Sequence, residues 1–231
     1  MTSVLRNLTL LRLASSLLTC SCTRFSAARM SSTSDAVIAS HLQRLYASNK
    51  PPRLVVEASG AGGQLFQWVL SVPGASSVFV SGGLPYATVC TDELVGRRLE
   101  QYCSAETASA MAFAAYKKCA NAVMQEHRCF QRLAGSDVVG LGITASIAST
   151  QPKRGDHRAF VGLHTVAHRK CVGVRMVKGA RTRAEEDTLV SRLGLSVVLQ
   201  NGVPDAPDDV VWPHLIHTAA GDGPASSTRV R

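Results

Sequence analysis

The stretch "RLVVEASGAGGQLFQWVL", residues 53–70, joins a short apolar run to a second apolar segment through a turn rich in glycine. Leu54, Val55 and Val56 form a run of the length typical of buried strands, so residues 53–59 are predicted to be a strand. The segment that follows is predicted to be a helix, and it is short because Pro73 and Gly74 end it. The glycines therefore lie in a strand-to-helix turn.

The chain on either side of this unit continues to alternate between helices and strands. Upstream, apolar residues at helical spacing follow Ser34, a plausible N-cap, and the prolines at 51 and 52 end that helix. Downstream, residues 76–89 alternate in polarity and predict a second strand, with Gly82 and Gly83 marking either a bulge or a close backbone approach. The charged stretch 91–102 carries no prediction of its own.

The longest predicted helix begins after Ser104 and is rich in alanine and other good helix formers. Its core-facing stripe has a spacing of four residues and consists of Met111, Ala115, Cys119 and Val123. Residues 136–147 predict a third buried strand. The polar stretch 149–157 then predicts a surface loop.

Two further apolar runs, 159–168 and 170–179, predict strands. They meet at Arg169 and Lys170, so a tight antiparallel hairpin is predicted with its turn at these two residues. A last helix over 182–200 has Leu189, Leu193 and Val197 on its apolar face. This order of elements predicts an α/β fold, a layered α/β/α sandwich with a mixed sheet of about five strands. In such sheets ligands bind beyond the carboxyl ends of the strands, where the glycine-rich turn lies.

Both ends of the chain differ in composition from the predicted domain, residues 35–201. Residues 1–34 contain four arginines, many Ser, Thr and Leu residues and no acidic residue, which is the composition of a mitochondrial transit peptide. A secretory signal or a disordered arm is the alternative. The tail, residues 202–231, is rich in Pro, Gly, Asp and Ser and is predicted to be flexible. No apolar run is of membrane length, so no membrane partner is expected.

Charge and metal-ligand patterns exclude two classes of function. Removal of the four presequence arginines at positions 6, 12, 24 and 29 reduces the formal charge of +9 to about +5, and the remaining basic residues are scattered. Nucleic-acid binding is therefore not expected. Two of the seven cysteines lie in residues 1–34, and the five in the predicted domain show no paired spacing. His164 with His168 would need a third metal ligand such as His157 or Asp156. We predict no metal and no cofactor.

The turn "SGAGGQ", residues 59–64, has two interpretations. Small residues let a ligand approach the backbone, and the amides at a helix N-terminus attract anions, so the turn is a candidate phosphate cradle. It contains no lysine and does not match the ATP-binding P-loop. The alternative is a tight strand-to-helix connection without a ligand.

Several short motifs occur in a fixed order along residues 35–201. They are "VEASGAGG" (56–63), "SVPGASSVFVSGGLPYATV" (71–89), "SAETASAMA" (104–112), "VGLGITASIA" (139–148), "FVGLHTVAH" (160–168) and "VKGARTRAEEDTLVSRL" (177–193). The ordered set resembles the carboxy-terminal domain of the competence-damage-inducible CinA family, whose active members are nicotinamide mononucleotide deamidases. Related domains often self-associate, so a homo-oligomer remains open.

The resemblance implies roles for individual residues. Ser76 matches the family's serine nucleophile and Tyr86 its assisting tyrosine. A pyridine mononucleotide, or a similar small ligand that carries a phosphate, would be held by five other residues, namely Ser59, Gly62, Gly63, Thr144 and Arg181. The chain departs from the pattern at Ala61, where the family has Thr, and at Thr91, where it has the Lys that activates the nucleophile.

These departures leave two hypotheses open. The first is an amidohydrolase in which Ser76 attacks the carboxamide of a pyridine mononucleotide, with Tyr86 or a substitute base assisting. The second is a catalytically inactive relative that acts as a binding or scaffold subunit of a mitochondrial assembly. Loss of the activating lysine predicts a degenerate active site, because such a loss costs orders of magnitude in rate.

Overall fold

The computed structural model describes residues 33–127, 138–151, 154–202 and 223–225. The strands are β1 (Arg53–Ser59), β2 (Phe79–Gly83), β3 (Val138–Ser146), β4 (His157–His164), β5 (Arg169–Met176) and β6 (Gly223–Ala225). The helices are α1 (Thr33–Tyr46), α2 (Gly63–Ser71), α3 (Thr88–Val95), α4 (Ala105–His127) and α5 (Arg183–Gly202), with a 3₁₀ turn at Ala75–Ser77.

The strands form one mixed sheet in the order β2-β1-β3-β4-β5-β6. Strand β1 pairs in parallel with both β2 and β3, and β3, β4, β5 and β6 are successively antiparallel. Because β1, β2 and β3 run in parallel, their carboxyl ends meet at one edge of the sheet. The predicted α/β fold and its mixed sheet are confirmed, with three residues of the tail adding a short strand at the edge.

One face of the sheet is covered by α4, which lies unusually close to the backbone of β3 and β4. A Cβ atom on Gly140, Gly142 or Gly162 would come within 2.5 Å of backbone atoms of α4. The predicted stripe of α4 is buried, and Met111, Ala115, Cys119 and Val123 are each at most 1% exposed. Glycines in the strands and alanines in the helix thus allow backbone to pack against backbone.

The opposite face holds the main hydrophobic core, under α1, α2 and α5. Alternate residues of β1 and β3 point into it, among them Val56, Leu141 and Ile143. Leu189, Leu193 and Val197, the predicted apolar face of α5, are all buried there. Helices on both faces make the molecule the predicted three-layer sandwich.

Two local predictions were wrong. The predicted strand over 76–89 ends at Gly83, and residues 88–95 form α3, which Gly96 ends in the left-handed conformation at φ 79°. The hairpin turns at Thr165–His168 rather than at Arg169, because the Thr165 hydroxyl accepts hydrogen bonds from the amides of Ala167 and His168.

The close approach predicted at Gly82 and Gly83 is confirmed. A Cβ on Gly82 would lie 2.3 Å from the Phe66 ring, and one on Gly83 would lie 2.4 Å from a carboxylate oxygen of Glu57. The predicted presequence, apart from its last two residues, and most of the predicted flexible tail lie outside the described residues. Within the described part of the chain, no helix has the length and apolarity needed to cross a membrane.

Candidate functional site

The carboxyl ends of the three parallel strands form the candidate site, which we call the strand-end edge. The glycine-rich turn follows β1 here, residues 84–87 follow β2, and residues 147–149 follow β3. Gly60 has φ 84°, and a Cβ at this position would lie 2.0 Å from the carbonyl oxygen of Ala145. A side chain at Gly60 is therefore incompatible with this turn.

The backbone amides at the start of α2 converge on the side chain of Asp187, in the first turns of α5. One carboxylate oxygen accepts from the amides of Gly62 (2.7 Å) and Gly63 (3.2 Å), and the other accepts from Gln64 at 3.1 Å. A helix N-terminus attracts anions through these amides. In this structure the anion is a carboxylate of the protein itself.

The neighbouring Glu186 holds the loop after β3. Its carboxylate is fully buried and accepts a hydrogen bond of 2.6 Å from the amide of Ala148. The other oxygen lies 2.8 Å from Nδ1 of His157, the first residue of β4. A buried carboxylate needs such partners, so Glu186 ties the loop after β3 to the start of β4.

Arg183 crosses the same edge from the start of α5. Its guanidinium donates to the carbonyl oxygens of Ala148 (2.7 Å) and Gly60 (3.3 Å) and to the hydroxyl of Tyr86 (3.0 Å). It therefore contacts the loops that follow all three parallel strands. We refer to Arg183, Glu186 and Asp187 together as the α5 clasp.

Five of the seven predicted site residues lie at the strand-end edge. Ser59 pairs with Thr144 in the register of β1 and β3, and Gly62 and Gly63 follow directly. Tyr86 lies in the loop after β2 and is 66% exposed, and its hydroxyl accepts a hydrogen bond from Arg183. Thr144 is buried and donates its hydroxyl proton to the carbonyl oxygen of Tyr102, so it faces the loop before α4.

Ser76 lies at the other end of the strands, where β1 and β2 begin, and not at the strand-end edge. It belongs to the 3₁₀ turn that precedes β2, and its carbonyl oxygen accepts a hydrogen bond of 3.5 Å from Arg53, the first residue of β1. Strand β1 has seven residues, and at a rise of about 3.3 Å per residue its two ends are roughly 20 Å apart. Within one chain, Ser76 and Tyr86 therefore do not share a site.

Arg181 is also separate from the glycine-rich turn. It lines a recess of about 250 Å³ with Glu185, Thr188, Leu189 and Arg192. At 100° per residue, positions 185, 188 and 192 lie on the side of α5 away from Asp187. Arg181 therefore lines a recess to which the three residues of the α5 clasp do not contribute.

Thr91, which stands where the CinA pattern has lysine, has a structural contact. Its side chain is buried, and its hydroxyl donates to the carbonyl oxygen of Pro85 at 2.8 Å. It ties α3 to the loop that follows β2. The hydroxyl at this position is therefore engaged by backbone of the chain itself.

The α5 clasp was missed in the sequence. Thr182 and Glu185 form a capping box, in which the Glu185 carboxylate accepts from the Thr182 amide at 2.7 Å. One acidic residue suffices for this cap, yet Glu186 and Asp187 follow it directly. Two surplus acidic residues in one helical turn were the available signal for partners elsewhere in the fold.

The histidines considered as a metal pair lie in different surroundings. His164 packs between Phe113 and Tyr116, with ring centroids 4.8 Å away from each, whereas His168 lies in the hairpin turn. Among the described residues, no three metal-capable side chains come together.

Comparison of this structure with solved structures identifies its fold. A CinA-superfamily protein from Escherichia coli superposes with a TM-score of 0.54 at 17% identity, over 76% of this chain and 95% of that one. The competence/damage-inducible protein CihA from Agrobacterium tumefaciens gives a TM-score of 0.54 at 16% identity, over 70% and 93% of the two chains. A CinA-superfamily protein from Enterobacter cloacae gives 0.54 at 12% identity, over 78% and 99%.

No protein-family model matches the sequence, and none of the curated proteins matches it. The chain has the fold of CinA-superfamily proteins, as the ordered motifs predicted. At these identities the likeness concerns the fold alone.

Proposed function

We propose that this chain is a non-catalytic CinA-fold protein that acts in mitochondria as a binding or scaffold subunit. The observation that carries the proposal is the position of Asp187, whose carboxylate accepts from the amides of Gly62, Gly63 and Gln64. A substrate phosphate would need these amides. It would first have to displace a tethered carboxylate, which competes at a high effective concentration.

The position of the matched nucleophile supports the same proposal. Ser76 is exposed at the opposite edge from Tyr86, and Thr91 is engaged with Pro85. A serine hydroxyl attacks a carboxamide only when a base within hydrogen-bond reach accepts its proton. Among the described residues, no base is hydrogen-bonded to the Ser76 hydroxyl.

Amide hydrolysis of a pyridine mononucleotide is the second candidate function. It is favoured by the meeting of Ser59, Thr144 and Tyr86 with the glycine-rich turn at one edge of the sheet. A nucleophile at this edge would be Ser59 rather than Ser76. Catalysis would also require Asp187 to leave the amides at the start of α2.

The deciding experiment measures ammonia release from nicotinamide mononucleotide by the purified full chain, Ser76→Ala and Ser59→Ala. Equal rates at the level of a protein-free control are expected for all three, because within the described part of the chain neither serine hydroxyl is hydrogen-bonded to a base. Release that depends on Ser59 or Ser76 would overturn the non-catalytic proposal, and the dependence would identify the nucleophile. Circular dichroism of both variants confirms that they are folded.

A further inference from the structure

A second cavity lies on the face of the sheet that carries α4, between this helix and the β4–β5 hairpin. It has a volume of about 270 Å³. This is slightly smaller than the 300–1,000 Å³ of sites for drug-sized ligands, so it suits a ligand of one or two rings. The lining residues that carry charge or a ring are Arg97, Glu106, Phe113, His164, Arg169 and Lys170.

One wall of the cavity is aromatic. Phe113 is 44% exposed, which is high for a large apolar side chain, and its ring centroid is 4.8 Å from that of the buried His164. Tyr116 packs on His164 at the same centroid distance, so the imidazole lies against two aromatic rings of α4. Part of the Phe113 ring thus stays exposed while the ring packs on His164, and aromatic ligands pack well against such a surface.

The charge at the cavity is positive. Arg97 is paired with Glu106 at 2.6 Å, so these two side chains neutralise each other. Arg169 pairs with His164 in the β4–β5 register and therefore lies on the same face, and no carboxylate within the described part of the chain contacts it. Lys170 also lines the cavity, but its ammonium donates to Gln200 of α5, on the other face of the sheet. Arg169 is the cation that remains for a ligand.

We propose that this cavity binds a small aromatic anion, with its ring against Phe113 and its carboxylate or phosphate group at Arg169. A guanidinium recognises carboxylate and phosphate through paired hydrogen bonds. The ammonium of Lys117 lies over the Phe113 ring, 5.0 Å from its centroid, and adds positive charge beside it. The site lies on the α4 side of the β4–β5 hairpin and does not depend on the α5 clasp or on the proposed function.

Three probe molecules distinguish the contribution of the aromatic ring to binding from that of the negative charge. Benzoate has both features, benzamide has the ring without the charge, and cyclohexanecarboxylate has the charge without the aromatic ring. In a titration of the full ¹⁵N-labelled chain followed by NMR, we expect benzoate to shift amides of α4 and β4–β5 in a saturable manner. The other two probes should bind at least fivefold more weakly.

Two variants and a matched control test the residues. Arg169→Gln is expected to weaken benzoate binding by at least tenfold, and Phe113→Leu by several-fold. Arg175→Gln is the control, because Arg175 lies on the same strand and face but pairs with Asp156 at 3.3 Å. Its affinity for benzoate should be unchanged.

Several results would overturn the proposal. These are the absence of saturable shifts with benzoate, equal affinity for benzamide, or equal losses in Arg169→Gln and Arg175→Gln. All three substituted side chains are exposed, so the variants are expected to fold, and unchanged spectra away from the cavity verify this. The ammonia assay is independent of this titration, so failure of one proposal is distinguishable from failure of the other.

Discussion

The carboxylate of Asp187 lies 2.7 Å from the amide nitrogen of Gly62, although 125 residues separate them in the sequence. This contact closes the start of α2 against the start of α5. A negative charge at a helix N-terminus is stabilising, and hydrogen bonds to charged groups are stronger than those between neutral groups. The contact thus gives Asp187 both a structural role and control over the anion-binding amides.

Asp187→Ala is expected to lower the free energy of unfolding by about 2–3 kcal/mol, since three amides lose a charged acceptor. Urea denaturation of the variant and the parent chain measures this loss. The freed amides should also bind an added anion, so inorganic phosphate is expected to raise the melting temperature of Asp187→Ala more than that of the parent. Asp187→Asn, which keeps an acceptor without the charge, should give an intermediate loss. Equal stability of Asp187→Ala and the parent would contradict the role of this contact.

The glycines under α4 predict a second effect on stability. A Cβ at Gly142 would lie 2.4 Å from backbone atoms of Ala108 and Ala112. Gly142→Ala should therefore push α4 from the sheet and cost about 1–3 kcal/mol, as overpacked cores do. Gly155→Ala is the matched control, because a Cβ there meets nothing within 4 Å. The urea concentrations at the unfolding midpoints of the two variants are compared. Equal midpoints would show that α4 can move away from the sheet without loss of stability.

The acid stability of the protein should depend on His164. Burial, and then the positive charge of Arg169, lower the pKa of His164 below its ordinary value of 6.5. The folded protein thus binds this proton less readily than the unfolded chain does. The free energy of unfolding therefore decreases as the pH falls from about 6.5 to the pKa of the folded state. Above pH 6.5 this histidine does not change the stability.

NMR titration of the imidazole protons tests this prediction. We expect a pKa below 6.5 in the parent chain and a higher pKa in Arg169→Gln, because the nearby positive charge is removed. His164→Phe keeps a ring between Phe113 and Tyr116 without the titrating group and should reduce the loss of stability in acid. A pKa of 6.5 or more in the parent chain would refute the assignment.

The composition of residues 1–34 predicts mitochondrial import. We expect isolated mitochondria to protect the full chain from added protease, and to leave a chain that begins at residue 35 unprotected. A variant with Gln at Arg6, Arg12, Arg24 and Arg29 keeps the length and loses the charge, so it should also fail to be protected. Equal protection of the three chains would argue against a transit peptide.

Periodicity and capping predicted most of the fold because these signals are local. The four-residue stripe of α4 follows from Met111 to Val123, and the Ser104 cap is confirmed by a hydrogen bond of 3.1 Å from the Thr107 amide. Helix α3 was missed because the strand pattern of residues 76–89 was extended too far. Gly96 in the left-handed conformation ends this helix and was its local signal.

The candidate site was harder to predict, because contacts between distant residues have no local signature. Motif order predicted that Ser59, Gly62 and Thr144 lie near one another, and they do so because Ser59 ends β1, Gly62 follows it, and Thr144 pairs with Ser59 in β3. The same order could not reveal that Ser76 precedes β2 and therefore lies at the other edge. Nor could it show that Asp187 would meet the amides of the glycine-rich turn.

The two faces of the sheet differ in how much of their width helices can cover. Four spacings of about 4.8 Å separate β2 from β5, so these strands span roughly 19 Å, whereas a single helix is about 10 Å wide. Three helices share one face, whereas on the other α4 is the described helix that packs on the strands, with α3 against it. The first face can hold the protein together while the outer strands of the second change their side chains at small cost, which would let new specificities arise without loss of the fold.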